Sequence, residues 1–565
     1  MSRYRWQVFP PVSAEQTARH PDIPPLLLQL LHNRGITDPS RFQEFLAGDE
    51  KLVGDPFLIP DMPQAVGRIY RAMLGGENIA IYGDFDTDGV TATVLLVQGL
   101  SRFGANVVPY IPHRTEEGYG LNKPALERLR RDGINLVISV DCGITAVPEV
   151  AYARRIGLDV IVTDHHSVTT ALPKADAVIN PKRPDSPYPF RELSGVGVAF
   201  KLLQALSTSL GRDGRCSEYL DLVALGTVAD MSPLVGENRY LVKEGLKVLN
   251  NTRRLGLQEM ATQAGLKPGS LDAESISFVL APRLNTAGRL DHAISSYRLL
   301  VTEKSDEARQ IATLLQQKNA ERQQLTADTL TKAKERLSRT DRGLPLLMVG
   351  ADDYPAGIIG LVASRLVDEF CRPVMVVRLG PETCRGSARS IPQFNVVSAL
   401  TECSDLLTQF GGHSQAAGFT LPSANIERFY DRLLDIASKE LAGVEFRPVL
   451  PVDACVDLGS MNGDTLRMLN RMSPFGQANA TPTFVSRHVK VVDWRKVGVN
   501  GPHLKLRLSQ DKTIWPSIAF QMGNMSDQLA PYLDIVYNLE MDDWGNTPTL
   551  RLHLQDFAPS NGAAG

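Results

Sequence analysis

Short runs of aliphatic and β-branched residues alternate with longer amphipathic stretches between about Gln64 and Val235. Ile79-Ala-Ile81, Leu136-Val-Ile-Ser-Val140 and Asp159-Val-Ile-Val-Thr163 read as strands, and the segments between them as helices. This alternation predicts a parallel sheet covered by helices. Up to about Pro63 the chain reads as short helices with Pro-rich joints. Ser305 to about Arg339 has no Gly or Pro, and Ala308, Ile311, Leu314 and Leu315 follow a helical period. One long helix of roughly 50 Å is expected there. A second α/β block starts near Pro345 with Leu346-Leu-Met-Val349 and Pro373-Val-Met-Val-Val377. Beyond about Arg447 the runs His488-Val-Lys-Val-Val492, Leu504-Lys-Leu-Arg-Leu508, Ile535-Val-Tyr-Asn-Leu539 and Leu550-Arg-Leu-His-Leu554 predict strands of a small β-barrel of the OB type.

The strand-like runs end in acids and imidazoles. Asp84, Asp86 and Asp88 alternate directly after the first, Asp141 closes the second, and Asp164-His165-His166 follow the third. Asp230 closes the apolar stretch from Leu222. Crowded carboxylates repel and raise one another's pKa, a cost that a bound polycation removes. Carboxylate oxygens are natural ligands of Mg²⁺ and Mn²⁺, and imidazole shifts the preference towards Mn²⁺. In an open parallel sheet such groups meet beyond the carboxyl ends of the strands. They suit two ions about 3.5–4 Å apart, as in many phosphoesterases. A lone Asp after a strand is ordinarily a turn former or helix cap. Three such clusters in one α/β block point beyond capping.

Composition narrows the class without naming a partner. The formal net charge of −3 neither suggests nor excludes nucleic acid. The six cysteines are scattered with no CxxC pair, which argues against a zinc ribbon or disulfide framework and fits a reducing cytoplasm. The N-terminus lacks the apolar core of a secretory signal, and no apolar run is long enough to span a membrane. Gly195-Val-Gly197 follows no strand and lacks a third glycine, so it reads as a turn into a helix rather than a dinucleotide site. Arg487, Lys490, Arg495, Lys496, Lys505, Arg507 and Lys512 form a local basic excess, with Trp494 and Trp515 beside it. A basic groove with aromatics suits a single strand, and an ordinary solvated β face is the competing account. Arg114, Arg289 and Arg389 offer phosphate-matched forks, the last beside Ser387 on what reads as a glycine-rich loop.

Taken in order, YGDFDTDG at Tyr82, RTEEGYGL at Arg114, VDCGI at Val140, TDHH at Thr163 and GVGVAFK at Gly195 resemble the DHH phosphoesterase superfamily. LDLVALGTVADMSPL at Leu220, PRLNTAGRLD at Pro282, GSARS at Gly386 and FGGHSQAAGF at Phe410 extend the resemblance, which is nearer to the superfamily's bacterial single-strand-specific exonucleases. It implies an N-terminal helical segment of the catalytic region (1–63), a DHH catalytic domain (64–300), a connecting helix (301–340), a DHHA1 domain (341–446) and an OB-fold (447–560), with the site expected in a groove between the DHH and DHHA1 domains. The implied metal ligands are Asp84, Asp86, Asp141, His165 and Asp230, with His166 near the scissile phosphate. The implied holders of a terminal 5′-phosphate are Arg114, Arg289, Ser387 and Arg389, with Gly411, Gly412 and His413 lining the same groove. Asp88 is left with an expected role in capping the helix that starts after Gly89. The implied activity is 5′→3′ hydrolysis of single-stranded DNA to mononucleotides with two Mn²⁺ or Mg²⁺ ions, in repair and recombination, by a cytoplasmic monomer. A single-strand-binding protein and a helicase are candidate partners. The chain departs from many relatives in having Tyr82 and Pro355 where they carry His.

Two other readings compete. A phosphodiesterase for short oligonucleotides or cyclic dinucleotides would share the metal motifs, but relatives of that kind are shorter and lack an OB-like tail. An inactive DNA-binding scaffold would have lost metal ligands, and here every motif carboxylate and both histidines are present.

Overall fold

The structure is a computed structural model of the 565-residue chain. It describes residues 2–113, 117–118, 120–168, 171–212, 216–338, 343–511, 513–542 and 548–560. The chain divides into two compact units, the first made of residues 6–316 with 451–565 and the second of 317–450, with a few N-terminal residues shared between them.

The first unit begins with helices α1 (Pro25–Asn33) and α2 (Pro39–Ala47). Its parallel sheet contains β1 (Asn78–Gly83), β2 (Asn106–Tyr110), β3 (Leu136–Val140), β4 (Asp159–Thr163) and β5 (Ala177–Ile179). The strand order is β2-β1-β3-β4-β5, all parallel. Ile79, Ile81, Ile138 and Ile161 are fully buried, as expected for a sheet with helices on both faces. The order reverses between β1 and β3, the switch point where such sheets open a crevice at their carboxyl edge. Helices α3 (Thr87–Phe103), α4 (Gly195–Ser209), α5 (Leu220–Ala229) and α6 (Ala281–Leu290) complete this half.

A buried ion pair ties α4 to the helix Gly236–Asn250 that lies between α5 and α6 in the chain. Lys201 Nζ lies 2.5 Å from Glu237 Oε1, with both side chains fully buried. Lys201 also donates to the Gly54 carbonyl, and Tyr188 Oη donates to Glu237 Oε2. Glu237→Ala would strand the ammonium without its counter-charge, and a loss of about 3–5 kcal/mol is expected from urea unfolding. A change well below about 1 kcal/mol would show that water or proton loss relieves Lys201 instead.

The long helix α7 covers Ser305–Leu337, 33 residues, close to the expected range. Ile311, Ala312 and Leu315 join the core of the first unit, and Ala333 and Leu337 that of the second. The second unit has a mixed sheet of β6 (Leu347–Ala351), β7 (Val374–Arg378), β8 (Thr383–Arg389), β9 (Gln409–His413) and β10 (Ala416–Pro422). Its order is β9-β10-β8-β7-β6, and helix α8 (Ile359–Phe370) connects β6 to β7.

The C-terminal strands β11 (Phe484–Val497), β12 (His503–Gln510), β13 (Thr513–Ala519), β14 (Tyr532–Asp542) and β15 (Thr549–Pro559) run in the order β11-β12-β13-β15-β14. Pairing of β14 with β11 closes the barrel. Two expectations change here. Leu27, Leu28, Leu30, Leu31, Phe42 and Phe45 share a core with barrel residues such as Phe484, Leu504 and Leu506, so α1 and α2 pack on the barrel and not on the parallel sheet. Trp515 is only 6% exposed in that core and presents no stacking face, whereas Trp494 is 43% exposed. Among the described residues no helix is long and apolar enough to cross a membrane.

Candidate metal centre

Register brings the acidic clusters together. Gly83 pairs with Val140, and Val140 with Thr163, so the three strands end on one rung. The next residues are Asp84, Asp141 and Asp164. Asp141 turns the chain sharply, with a left-handed φ of 60° that a non-glycine residue adopts only under local constraint. Asp230 arrives as the C-cap of α5, from a helix and not from a strand.

Three sets of side chains have ligand atoms within 4.8 Å of one another: Asp84, Asp86 and Asp141; Asp141, His165 and His166; Asp88, His165 and Asp230. His165 Nε2 lies 3.1 Å from Asp141 Oδ1 and 3.9 Å from both Asp88 Oδ2 and Asp230 Oδ1. Asp141 Oδ1 and His165 Nε2 are buried without a hydrogen-bond partner among the described residues. Orphaned acceptors of this kind are costly unless something positive meets them. His165 Nε2 has no hydrogen-bond partner among the described residues, and with the imidazole neutral its lone pair can serve a metal.

The electrostatics agree with that fit. Burial, then repulsion from neighbouring carboxylates, pushes Asp88 and Asp141 well above the usual carboxylate range. Burial raises Asp230 to about 6 even though Ser232 donates to it. Burial and the neighbouring His166 lower His165 to about 3, so its imidazole is neutral, as a metal ligand must be.

Asp164 stands in the DHH run, yet sequence reasoning assigns it no role. It organises the cluster. Its Oδ1 accepts from the His165 and His166 amides and from His166 Nδ1 at 2.8 Å, and its Oδ2 accepts from the Ile144 amide. Burial opposes ionisation of Asp164, but these donors hold it down at about 2. Burial likewise opposes charge on His166, and the Asp164 contact outweighs it, raising the imidazole to about 9. Its position directly before two histidines is the signal that could have found it.

The capping expectation needs correction. Asp86, not Asp88, caps α3: its Oδ1 accepts from the Asp88 and Gly89 amides, leaving Oδ2 for a metal. Asp88 reaches instead to the start of α4, accepting from the Gly195 and Val196 amides at 2.7 and 2.8 Å. Gly195 is required there by close approach, since a Cβ would stand 2.6 Å from Asp141 Cβ and Oδ1. Tyr82 lies in the sheet with its hydroxyl donating to Gly120 O and accepting from Asn122, so it offers the centre no ligand in place of histidine.

The cationic residues fall into two groups. In the first unit α6 packs on the metal loop: the Thr87 amide and hydroxyl donate to Asn285 Oδ1. This places Arg289, one turn on, in the same half of the unit. Arg114 lies outside the described residues. In the second unit Ser387 and Arg389 stand on strand β8 and not on a loop, because Gly386 and Ala388 serve as inward-facing sheet positions. Arg389 pairs with Ala416, which pairs with His413, and Ser387 pairs with Gly418, opposite Gly411. Arg389, Ser387 and His413 thus share one face of that sheet. Gly412 has φ 149° and tolerates no Cβ against the Ala416 carbonyl, 2.2 Å away. Helix α8, which sequence reasoning left without a site role, starts over this face: a Cβ on Gly360 would be 3.1 Å from Arg389 Nη2 and Ser387 Oγ. Backbone N–H groups at a helix start favour anions. On the barrel, Arg495 faces Lys505 across β11 and β12, and Arg507 faces Asp493. Lys512 lies outside the described residues.

Known proteins share this architecture. The DHH family N-terminal domain matches residues 78–227, the DHHA1 domain residues 343–439 and the RecJ OB domain residues 452–556. The single-stranded-DNA-specific exonuclease RecJ of Bacillus subtilis is 37% identical over 99% of this chain and 71% of its own length. That of Escherichia coli is 31% identical over 96% of this chain and 98% of its own. The crystal structure of RecJ from Thermus thermophilus in complex with Mn²⁺ superposes with a TM-score of 0.84 at 30% identity, covering 100% of this chain and 81% of that one. The same protein with Mg²⁺ gives 0.79 at 29% identity, over 100% and 80%. With relatives at 31–37% identity matched along nearly its whole length, the chain belongs to the RecJ family of single-stranded-DNA-specific exonucleases.

Proposed function

We propose that this chain degrades single-stranded DNA from the 5′ end to mononucleotides with two bound Mn²⁺ or Mg²⁺ ions, in repair and recombination. The observation that carries the reading is the buried pair Asp141 Oδ1 and His165 Nε2, 3.1 Å apart and without hydrogen-bond partners among the described residues, inside a ring of carboxylates. Asp84, Asp86, Asp141, His165 and Asp230 would hold the ions. Bound divalent ions supply an activated water and neutralise charge on the phosphate. His166, held cationic by Asp164, would steady a phosphate oxygen or give a proton to the departing oxygen. Arg289, Ser387, Arg389, Gly412 and His413 would bind the terminal phosphate, as would Arg114. The closed barrel, with Arg495, Lys505, Arg507 and the exposed Trp494, favours long single strands over cyclic dinucleotides.

The test follows the label. A 5′-labelled strand should release labelled mononucleotide at once, a 3′-labelled strand only late, and a duplex little of either. Early release of the 3′ label would reverse the proposed polarity. Arg389→Ala should weaken hydrolysis of 5′-phosphorylated ends by about 10- to 100-fold, the worth of a charge-assisted bidentate contact, with a much smaller loss on 5′-hydroxyl ends. An equal loss on both would remove Arg389 from phosphate recognition.

A further inference from the structure

Asp88 is buried to 1% exposure, and its two oxygens are each engaged by a backbone amide at the start of α4. Around it lie the elements that carry the other acids. Its own amide donates to Asp86 Oδ1. Gly195, which it holds, is the residue whose Cα faces the Asp141 carboxylate. Asp88 Oδ2 is 3.9 Å from His165 Nε2. On its other side Gly226 of α5, four residues before Asp230, approaches so closely that a Cβ would stand 2.8 Å from Asp88 Oδ1. A hydrogen bond between Ser194 Oγ and Thr227 Oγ1, 2.8 Å, fastens α4 to α5 beside it.

We infer that Asp88 is a positioning residue: by gripping the first two amides of α4 it fixes the spacing between Asp86, Asp141 and Asp230, and so the fit of the centre to its ions. The inference rests on the metal-site reading above. A mere surface cap would touch one helix; Asp88 touches the starts or walls of three. Its two oxygens are already committed to amides, which separates it from Asp141 and its orphaned Oδ1.

The test uses full-length Asp88→Asn, which keeps the shape but turns one acceptor into a donor facing an amide N–H. Mn²⁺ titration by calorimetry should show two sites weakened by about 10- to 100-fold, the usual effect of losing a group that orients ligands. Raising Mn²⁺ should restore much of the activity, and single-strand affinity in EDTA should stay within about twofold of wild type. Unchanged Mn²⁺ affinity would overturn the inference, leaving Asp88 a fold-only residue. Loss of one Mn²⁺ equivalent that excess metal does not restore would also overturn it, making Asp88 a direct ligand. Should the variant fail to fold, the wild type answers by linkage: Mn²⁺ should slow hydrogen exchange of the Gly195 and Val196 amides, because binding and grip stabilise each other. No change there would equally sink the idea. A wild type that binds no Mn²⁺ at all would instead overturn the metal-site reading.

Discussion

Replacing Asp141 with alanine is expected to lower kcat by about 10³-fold or more, a barrier increase of about 4 kcal/mol, with single-strand binding in EDTA nearly unchanged. Asp141 belongs to two of the three ligand sets and lies 3.1 Å from His165 Nε2. It stands just past the shared rung where β1, β3 and β4 end, a position set by the backbone of the sheet. The metal-free variant should nevertheless remain folded. Burial and the fields of Asp88, Asp86 and Asp84 all oppose its ionised form, so removing it relieves repulsion that offsets lost contacts. Single-turnover assays with saturating Mn²⁺, beside a binding isotherm in EDTA, separate the two effects. Undiminished turnover would take Asp141 out of the reaction.

Chelation should have the second large effect. EDTA is expected to abolish hydrolysis, and Mn²⁺ or Mg²⁺ added in excess should restore it. The same ions should raise the thermal midpoint, because they bind the folded cluster and not the unfolded chain. At a hundred times the dissociation constant the gain is about 2.7 kcal/mol. The sign follows from the buried carboxylates: without a cation their mutual repulsion is a cost of folding, and with one it becomes attraction. Full activity in EDTA, or a midpoint indifferent to metal, would rule out the arrangement proposed.

Much of this was legible in the sequence because the informative residues are local. Strand runs followed at once by Asp84, Asp141 and the Asp164-His165-His166 triplet place the chemistry on one sheet edge whatever the loops do. The long helix is legible because 33 residues without Gly or Pro have few other options. What escaped depends on partners distant in the chain. Asp88 finds its amides 107 and 108 residues away, so only the fold reveals which helix it caps. Ser387 and Arg389 sit among glycines that suggested a loop, whereas alternation with buried Cys384, Gly386 and Ala388 makes a strand. Trp515 lies in a segment whose charges suggested exposure, yet its strand points it inward. Helices α1 and α2 are apolar enough to pack on either body, and pattern alone does not choose between them.

The common rung of Gly83, Val140 and Thr163 has a consequence for how this protein can change over time. Deleting one residue from any of these strands would retract a ligand by about 3.3 Å and turn it to the opposite side of the sheet. Length variation near the centre is therefore confined to the far ends of the strands, where the turns before Asn78, Leu136 and Asp159 carry no ligand. Natural variants should differ in size there, and a peptide tag inserted at those turns should be tolerated where the same tag after Gly83 or Val140 would not.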